Sequence, residues 1–169
     1  HVPILTNDDQ DYHNIHPGFH MNMLTAARIA CALPMIDVLE ELLRKIRPYE
    51  IVKGSANEAF EKAMDQVVEG LEKRGVSGAR KGFGKAIDIM KNVEYDRSVL
   101  KPRVLIVGEY LLNFHPGANH DIEDYLEKNG FEVIEARMAD VIQKTYFYQY
   151  AQIRDYHIKK PATQKVWLH

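Results

Sequence analysis

Val104-Leu105-Ile106-Val107-Gly108, introduced by Lys101-Pro102-Arg103, is the stretch on which the fold turns. Four consecutive apolar residues, three of them β-branched, show no polar alternation. That is the pattern of a strand buried on both faces of a parallel sheet, so an interior strand is predicted over 104–107. A loop from Glu109 to Ala118 follows, then a helix with Asn119 as its cap and Asp121, Glu123 and Asp124 in its first turn, where negative charge favours the helix dipole. Gly130 terminates it, and Phe131-Glu132-Val133-Ile134-Glu135 reads as the next strand. Strand, loop, helix and strand within about 30 residues make a βαβ unit.

Working back towards the N-terminus, Gly75-Val76-Ser77-Gly78 separates two helical stripes. The first, Phe60, Met64, Val67, Val68 and Leu71, is opened by Ser55 with Glu58 three residues on, a spacing that allows reciprocal side-chain to backbone bonds. The second runs through Phe83, Ile87 and Met90, and the two helices are expected to lie antiparallel. Phe19 to Arg47 carries apolar residues at helical spacing, with Pro34 as a kink or break and Arg47-Pro48-Tyr49 as the stop. Cys31 sits in that stripe among Ala30, Ala32 and Leu33 and is expected in the core. Val2 to Thr6 reads as a strand, and Met138 to Ile153 as a helix with an aromatic cluster at Tyr146, Phe147, Tyr148 and Tyr150. The expected fold is a single α/β domain over 1–169, three-layered, with a small, mainly parallel sheet of three or four strands flanked by helices.

The chain has 169 residues, 46% hydrophobic and 27% charged, enough for one domain with a core. Lys and Arg number 22 against 24 Asp and Glu, so bulk charge gives no hold on a phosphate polymer, and nucleic acid is not expected as a partner. No apolar run approaches the roughly 18 to 20 residues that span a bilayer, and no export signal is visible at the N-terminus. No membrane partner and a cytoplasmic location are therefore expected, which a single cysteine suits. The opening at His1 and the close at Trp167-Leu168-His169 suggest a fragment of a larger multidomain protein.

In parallel α/β sheets, ligands gather beyond the carboxyl ends of the strands, here at Gly108 to Asn119. This loop is longer than the roughly 2 to 6 residues usual for such connections. Gly108, Glu109, Tyr110, Asn113, His115 and Asn119 are the candidate substrate-binding residues; no catalytic residue stands out. The bland reading has Leu111, Leu112 and Phe114 covering the sheet end. The loop lacks Gly-x-Gly-x-x-Gly and Gly-x-x-x-x-Gly-Lys-Ser/Thr, so no dinucleotide or triphosphate is expected there. His13, His16 and His20 have a metal-like spacing, but Pro17-Gly18 argues against the helix that would align them, and no metal is assigned. Asn7, Asp8, Asp9 and Asp11 lack the glycine and final glutamate of a calcium loop.

The run Lys101 to Tyr110, continued by Asn113, Pro116 and Ala118-Asn119 and by Asn129-Gly130-Phe131-Glu132-Val133, resembles the central segment of the 2-hydroxyacyl-CoA dehydratase component D family. It is most similar to the version in large CoA-substrate-specific enzyme activases. Arg47-Pro48-Tyr49-Glu50 and Lys53-Gly54-Ser55-Ala56-Asn57 resemble the stretch upstream, and the resemblance covers most of residues 2 to 150. It implies a Rossmann-like α/β fold and a parent system in which an ATP-dependent activator and 4Fe-4S clusters serve acyl-CoA dehydration. It also implies other domains of the parent, or a dehydratase subunit, as partners and an acyl-CoA as a possible substrate. Cys31 is the chain's only thiol and no activator glycine loop is present, so no cofactor and no dehydratase activity are expected of these residues alone. The alternative is a non-catalytic α/β binding or assembly domain whose loop at 109–118 contacts a partner.

Overall fold

The computed structural model describes residues 14–16, 19–20, 22–140 and 143–144, with the backbone alone at 14–16, 19–20 and 110. The strand expected at 2–6 and the aromatic cluster at 146–150 lie outside the described residues. Of the helix expected over 138–153, residues 138–140 and 143–144 are described, and they are helical. Asn14–His16 (β1) and Phe19–His20 (β2) pair antiparallel across Pro17-Gly18, so His16 and His20 do not share a helix.

Helix α1, Met23–Ile46, begins where the Asn22 side chain accepts a hydrogen bond from the Thr25 N–H at 2.8 Å. Its start falls four residues later than the periodicity suggests because Phe19 and His20 belong to β2. Pro34 is accommodated without a break in the helix. Ala32, Leu39, Leu43 and Ile46 are buried, whereas Cys31 is exposed, which corrects its placement in the core. The physical reason is rotation: Cys31 is one residue from Ala32, about 100° round the helix from the buried stripe. Arg47–Tyr49 then ends α1 in a tight turn built on Pro48.

Helix α2, Ser55–Lys91, reverses direction at Gly75, whose φ of 61° and ψ of −145° leave the helical region. The expected four-residue connector reduces to this residue. The two arms lie antiparallel with their backbones in contact: a Cβ on Gly78 would fall 2.0 Å from the Gly70 carbonyl oxygen, and one on Gly82 2.0 Å from that of Gln66. Ala56, Ala59, Ala63 and Val67 on one arm meet Ala79, Ala86 and Met90 on the other, and α1 lays Leu39, Leu43 and Ile46 over the seam. Small side chains let three helices share one dense core.

The start of α2 differs from the expected reciprocal cap. Gly54, at φ 91°, is the capping residue, and the buried Ser55 Oγ has no hydrogen-bond partner. Glu50 from the preceding turn takes over that role. Its carboxylate accepts from the N–H groups of Gly54 (2.7 Å) and Ala56 (2.9 Å), satisfying donors that a helix start otherwise leaves open.

Arg103–Leu105 (β3) and Glu132–Ile134 (β4) pair in parallel, with Val104 opposite Val133. Between them lie three short helices: α3 (Tyr110–Phe114), α4 (Pro116–Asn119) and α5 (Ile122–Lys128). The fold is α/β, a small parallel sheet flanked by helices in a mainly helical chain. The expectation of a doubly buried strand is corrected: Leu105 is 58% and Val107 76% exposed. Among the described residues this sheet has two strands, so β3 has one neighbour, and its apolar run lies on an outer edge. No described helix is long and apolar enough to cross a membrane.

The amino end of the sheet is closed by a polar hub. Glu132 is buried, and its Oε2 accepts from the Tyr49 hydroxyl and from Arg97, each at 2.8 Å. The same hydroxyl accepts from the Lys101 N–H at 3.0 Å, and the Arg97 guanidinium stacks 4.6 Å above the Tyr49 ring. A buried carboxylate with this many donors fastens β4 to the turn after α1.

Candidate functional site

The Ile106 N–H donates to the Ile134 carbonyl at 2.9 Å, one step beyond the strands, after which the chain leaves the sheet. The long loop is ordered into helical turns. Glu109 precedes α3, and its carbonyl accepts from the Asn113 N–H at 2.9 Å. The His115 carbonyl accepts from the N–H groups of Ala118 and Asn119, and Pro116 opens α4 at a position where a missing donor does no harm. Asn119 is the last residue of α4 and does not cap the next helix. The cap of α5 is Asp121, which, with His120, has a positive φ (53° and 56°). Two consecutive left-handed residues other than glycine are a costly local conformation, held here by the Asp121 N–H bond to the Pro116 carbonyl at 3.0 Å.

A cleft of about 260 Å³ opens at this carboxyl end of the sheet. The loop contributes Asn113, Phe114, Pro116 and Asn119, α1 contributes Glu40 and Arg44, and Glu135 closes the side after β4. Asp121, Glu123 and Asp124 line the rest. Two of the sequence candidates, Asn113 and Asn119, are thus brought together on one wall. Gly108, Glu109 and His115 are exposed beyond it, and Tyr110 is placed at the first position of α3 by its backbone. Gly108 borders the wall: a Cβ there would sit 3.2 Å from the Asn113 Oδ1.

Asn113 is 8% exposed, and its Oδ1 has no hydrogen-bond partner. The Asn119 Nδ2 donates to the Leu112 carbonyl at 3.0 Å, which fixes its carboxamide and leaves its own buried Oδ1 unpartnered. Buried acceptors without donors are unusual and carry a desolvation cost.

The opposite wall is ionic. Arg44 pairs with Glu135, with Glu123 at 3.3 Å and with Glu40 at 3.4 Å. Arg47 pairs with Glu123 and holds Glu127 at 2.6 and 2.8 Å. Four carboxylates therefore share two guanidiniums. Burial pushes the Glu40 and Glu135 carboxyls above the usual carboxylate range, against the pull of Arg44. Burial alone would lower Arg44, but Glu123, Glu135 and Glu40 outweigh it and raise the guanidinium further. The network docks α1 against α5 and the end of β4, and it leaves the cleft with excess negative charge.

Sequence reading did not find Glu40, Arg44 and Glu135 as members of the site. Arg44 and Glu135 are 91 residues apart, and nothing local to either marks the meeting. The one local sign is the i, i+4 pairing of Glu40 with Arg44 on α1. A 4Fe-4S cluster, which the family resemblance implies for the parent system, is held by several thiolates. The chain's sole thiol is exposed Cys31 on α1, so these residues alone do not fit such a group. Comparison with family models, with curated proteins and with solved structures found no match.

Proposed function

We propose that the chain is a Rossmann-like scaffold segment of a 2-hydroxyacyl-CoA dehydratase or activase-type system, serving assembly rather than the dehydration step. The observation that carries this reading is the outer edge of β3. A pair of parallel strands seldom stands without further cover: among the described residues the outer edge of β3 is unpaired, and exposed Leu105 and Val107, two residues apart and so on one face, leave that face open to further β-structure or to a partner subunit. The carboxylate-rich cleft supports the same division of labour. It supplies little counter-charge for the phosphates of a CoA ester, so the acyl-CoA and the cluster belong to the partner in this scheme.

The test is co-elution of the chain with purified subunits of a 2-hydroxyacyl-CoA dehydratase in anaerobic size-exclusion chromatography. A complex is expected, and Val107→Asp, at a position 76% exposed, should abolish it while leaving the circular dichroism spectrum unchanged. Free elution of the unaltered chain, or dehydratase turnover by the chain alone, would overturn the assignment.

A further inference from the structure

We infer that the groove between the two arms of α2 binds a linear oligophosphate through its phosphates alone. From Lys73 through Ile87 the chain has five Lys or Arg residues and no Asp or Glu. The fold then draws these charges together. Folding back at Gly75 places Lys73 and Arg74 of one arm beside Lys81 and Lys85 of the other, along a groove of about 270 Å³. Gly70, Gly78 and Gly82 also line it, so no side chain fills the furrow where the arms touch. Glu69 is the one carboxylate among its described lining residues, and Lys73 pairs with it. Arg74, Lys81 and Lys85 have no ion-pair partner among the described residues.

Two further observations separate this surface from ordinary solvated charge. Arginines elsewhere among the described residues have carboxylate partners: Arg44, Arg47, Arg97, Arg103 and Arg137 each pair with a Glu or an Asp. Arg74 and Arg80 on the hairpin do not, nor does Arg28, whose half-buried side chain brings Nε to 3.4 Å from where a Cβ on Gly75 would sit. Lys81 and Lys85 are also a like-charge i, i+4 pair, which costs stability until an anion lies between them. They stand about 6 Å apart along the helix axis, a span that linked phosphates bridge and a single phosphate does not. No aromatic or branched apolar residue lines the groove among the described residues, so nothing there stacks a nucleobase. A long phosphate polymer fits less well, because Glu61, Asp65, Glu72 and Asp88 stand exposed on the same hairpin and the net charge is −2. This inference does not rest on the scaffold assignment: the groove is on α2 and the apolar edge on β3, and either proposal can fail alone.

Isothermal titration with sodium triphosphate in magnesium-free buffer tests it, with orthophosphate, adenosine triphosphate and a single-stranded oligouridylate as comparison probes. Triphosphate should bind at one site per chain, and orthophosphate at least about tenfold more weakly. Adenosine triphosphate should bind no more tightly than triphosphate, and added sodium chloride should weaken both. Lys81→Gln combined with Lys85→Gln should weaken triphosphate at least about tenfold, and Glu69→Gln should tighten it. Lys62→Gln, exposed on α2 outside the groove, should leave it unchanged, with circular dichroism confirming that each variant is folded. No triphosphate binding to the unaltered chain, affinity unchanged in the folded double variant, or equal weakening by Lys62→Gln would each overturn the inference. So would adenosine triphosphate binding tighter than triphosphate, or oligouridylate displacing triphosphate at a lower phosphate concentration.

Discussion

The Asp37 carboxylate accepts hydrogen bonds from the main-chain N–H of Met138 at 2.9 Å and from its neighbour Ala139 at 2.8 Å. Asp37 is buried in the middle of α1, so one helix supplies the cap for another that begins a hundred residues later. Asp37→Ala should therefore cost about 1 to 3 kcal/mol, because it strips partners from two N–H groups. Hydrogen exchange should accelerate first at 138 and 139, and Asp37→Asn should restore part of the protection. Exchange at those two amides that is unaffected by Asp37→Ala would contradict the capping role.

The helical hairpin predicts opposite outcomes for two neighbouring glycines. Gly82→Ala places a methyl 2.0 Å from the Gln66 carbonyl oxygen and must push the arms apart, costing about 1 to 3 kcal/mol despite alanine's better helix propensity. Gly84→Ala meets nothing within 4 Å and should stabilise by roughly 0.4 to 1 kcal/mol through the unfolded state. Urea midpoints moving in the same direction for both would show that the backbones are not in contact.

Glu40 predicts a pH dependence. Burial raises its carboxyl above the ordinary value of 4.5. An acid whose pKa is higher in the folded state stabilises the fold at low pH and loses that contribution as pH rises through the raised value. Glu40→Gln removes the titration, so its urea midpoint, relative to that of the unaltered chain, should improve from acid towards neutral pH. A difference that shrinks over that interval would show that the pull of Arg44 exceeds the effect of burial.

Cys31 predicts a labelling result. Being exposed on α1, it should react with an aromatic disulfide reagent in the native state to one equivalent per chain, at a rate that denaturant raises little. A thiol that reacts only on unfolding would return it to the core.

The parts of the fold legible in sequence are those with local causes. Gly130, at φ 89°, ends α5 because only a residue without a side chain takes that conformation cheaply, and its position between Leu126 and Phe131 can be read directly. Phe60, Met64, Val67 and Leu71 pack on or in the core at the spacing that predicts their helix. What depends on distant partners is not legible in this way. Val104 to Val107 has the composition of an interior strand, yet burial is set by the number of neighbouring strands, which composition does not encode. Ser55 and Glu58 have the spacing of a reciprocal cap, but Glu50 caps the helix start instead, through the Gly54 and Ala56 N–H groups. Asn113 and Asn119 are visible as loop amides, whereas Glu40, Arg44 and Glu135 become their neighbours only after α1 docks on the βαβ unit.

The reversal at Gly75 also bears on the order in which the molecule assembles. Gln66 meets Gly82, and Gly70 meets Gly78, so the tightest packing joins positions 16 and 8 apart in sequence, and closing such short loops loses little chain entropy. The hairpin is therefore the natural nucleus, a platform formed early on which α1 then settles. The ionic cleft would be completed last, when the strands arrive from the far end of the chain.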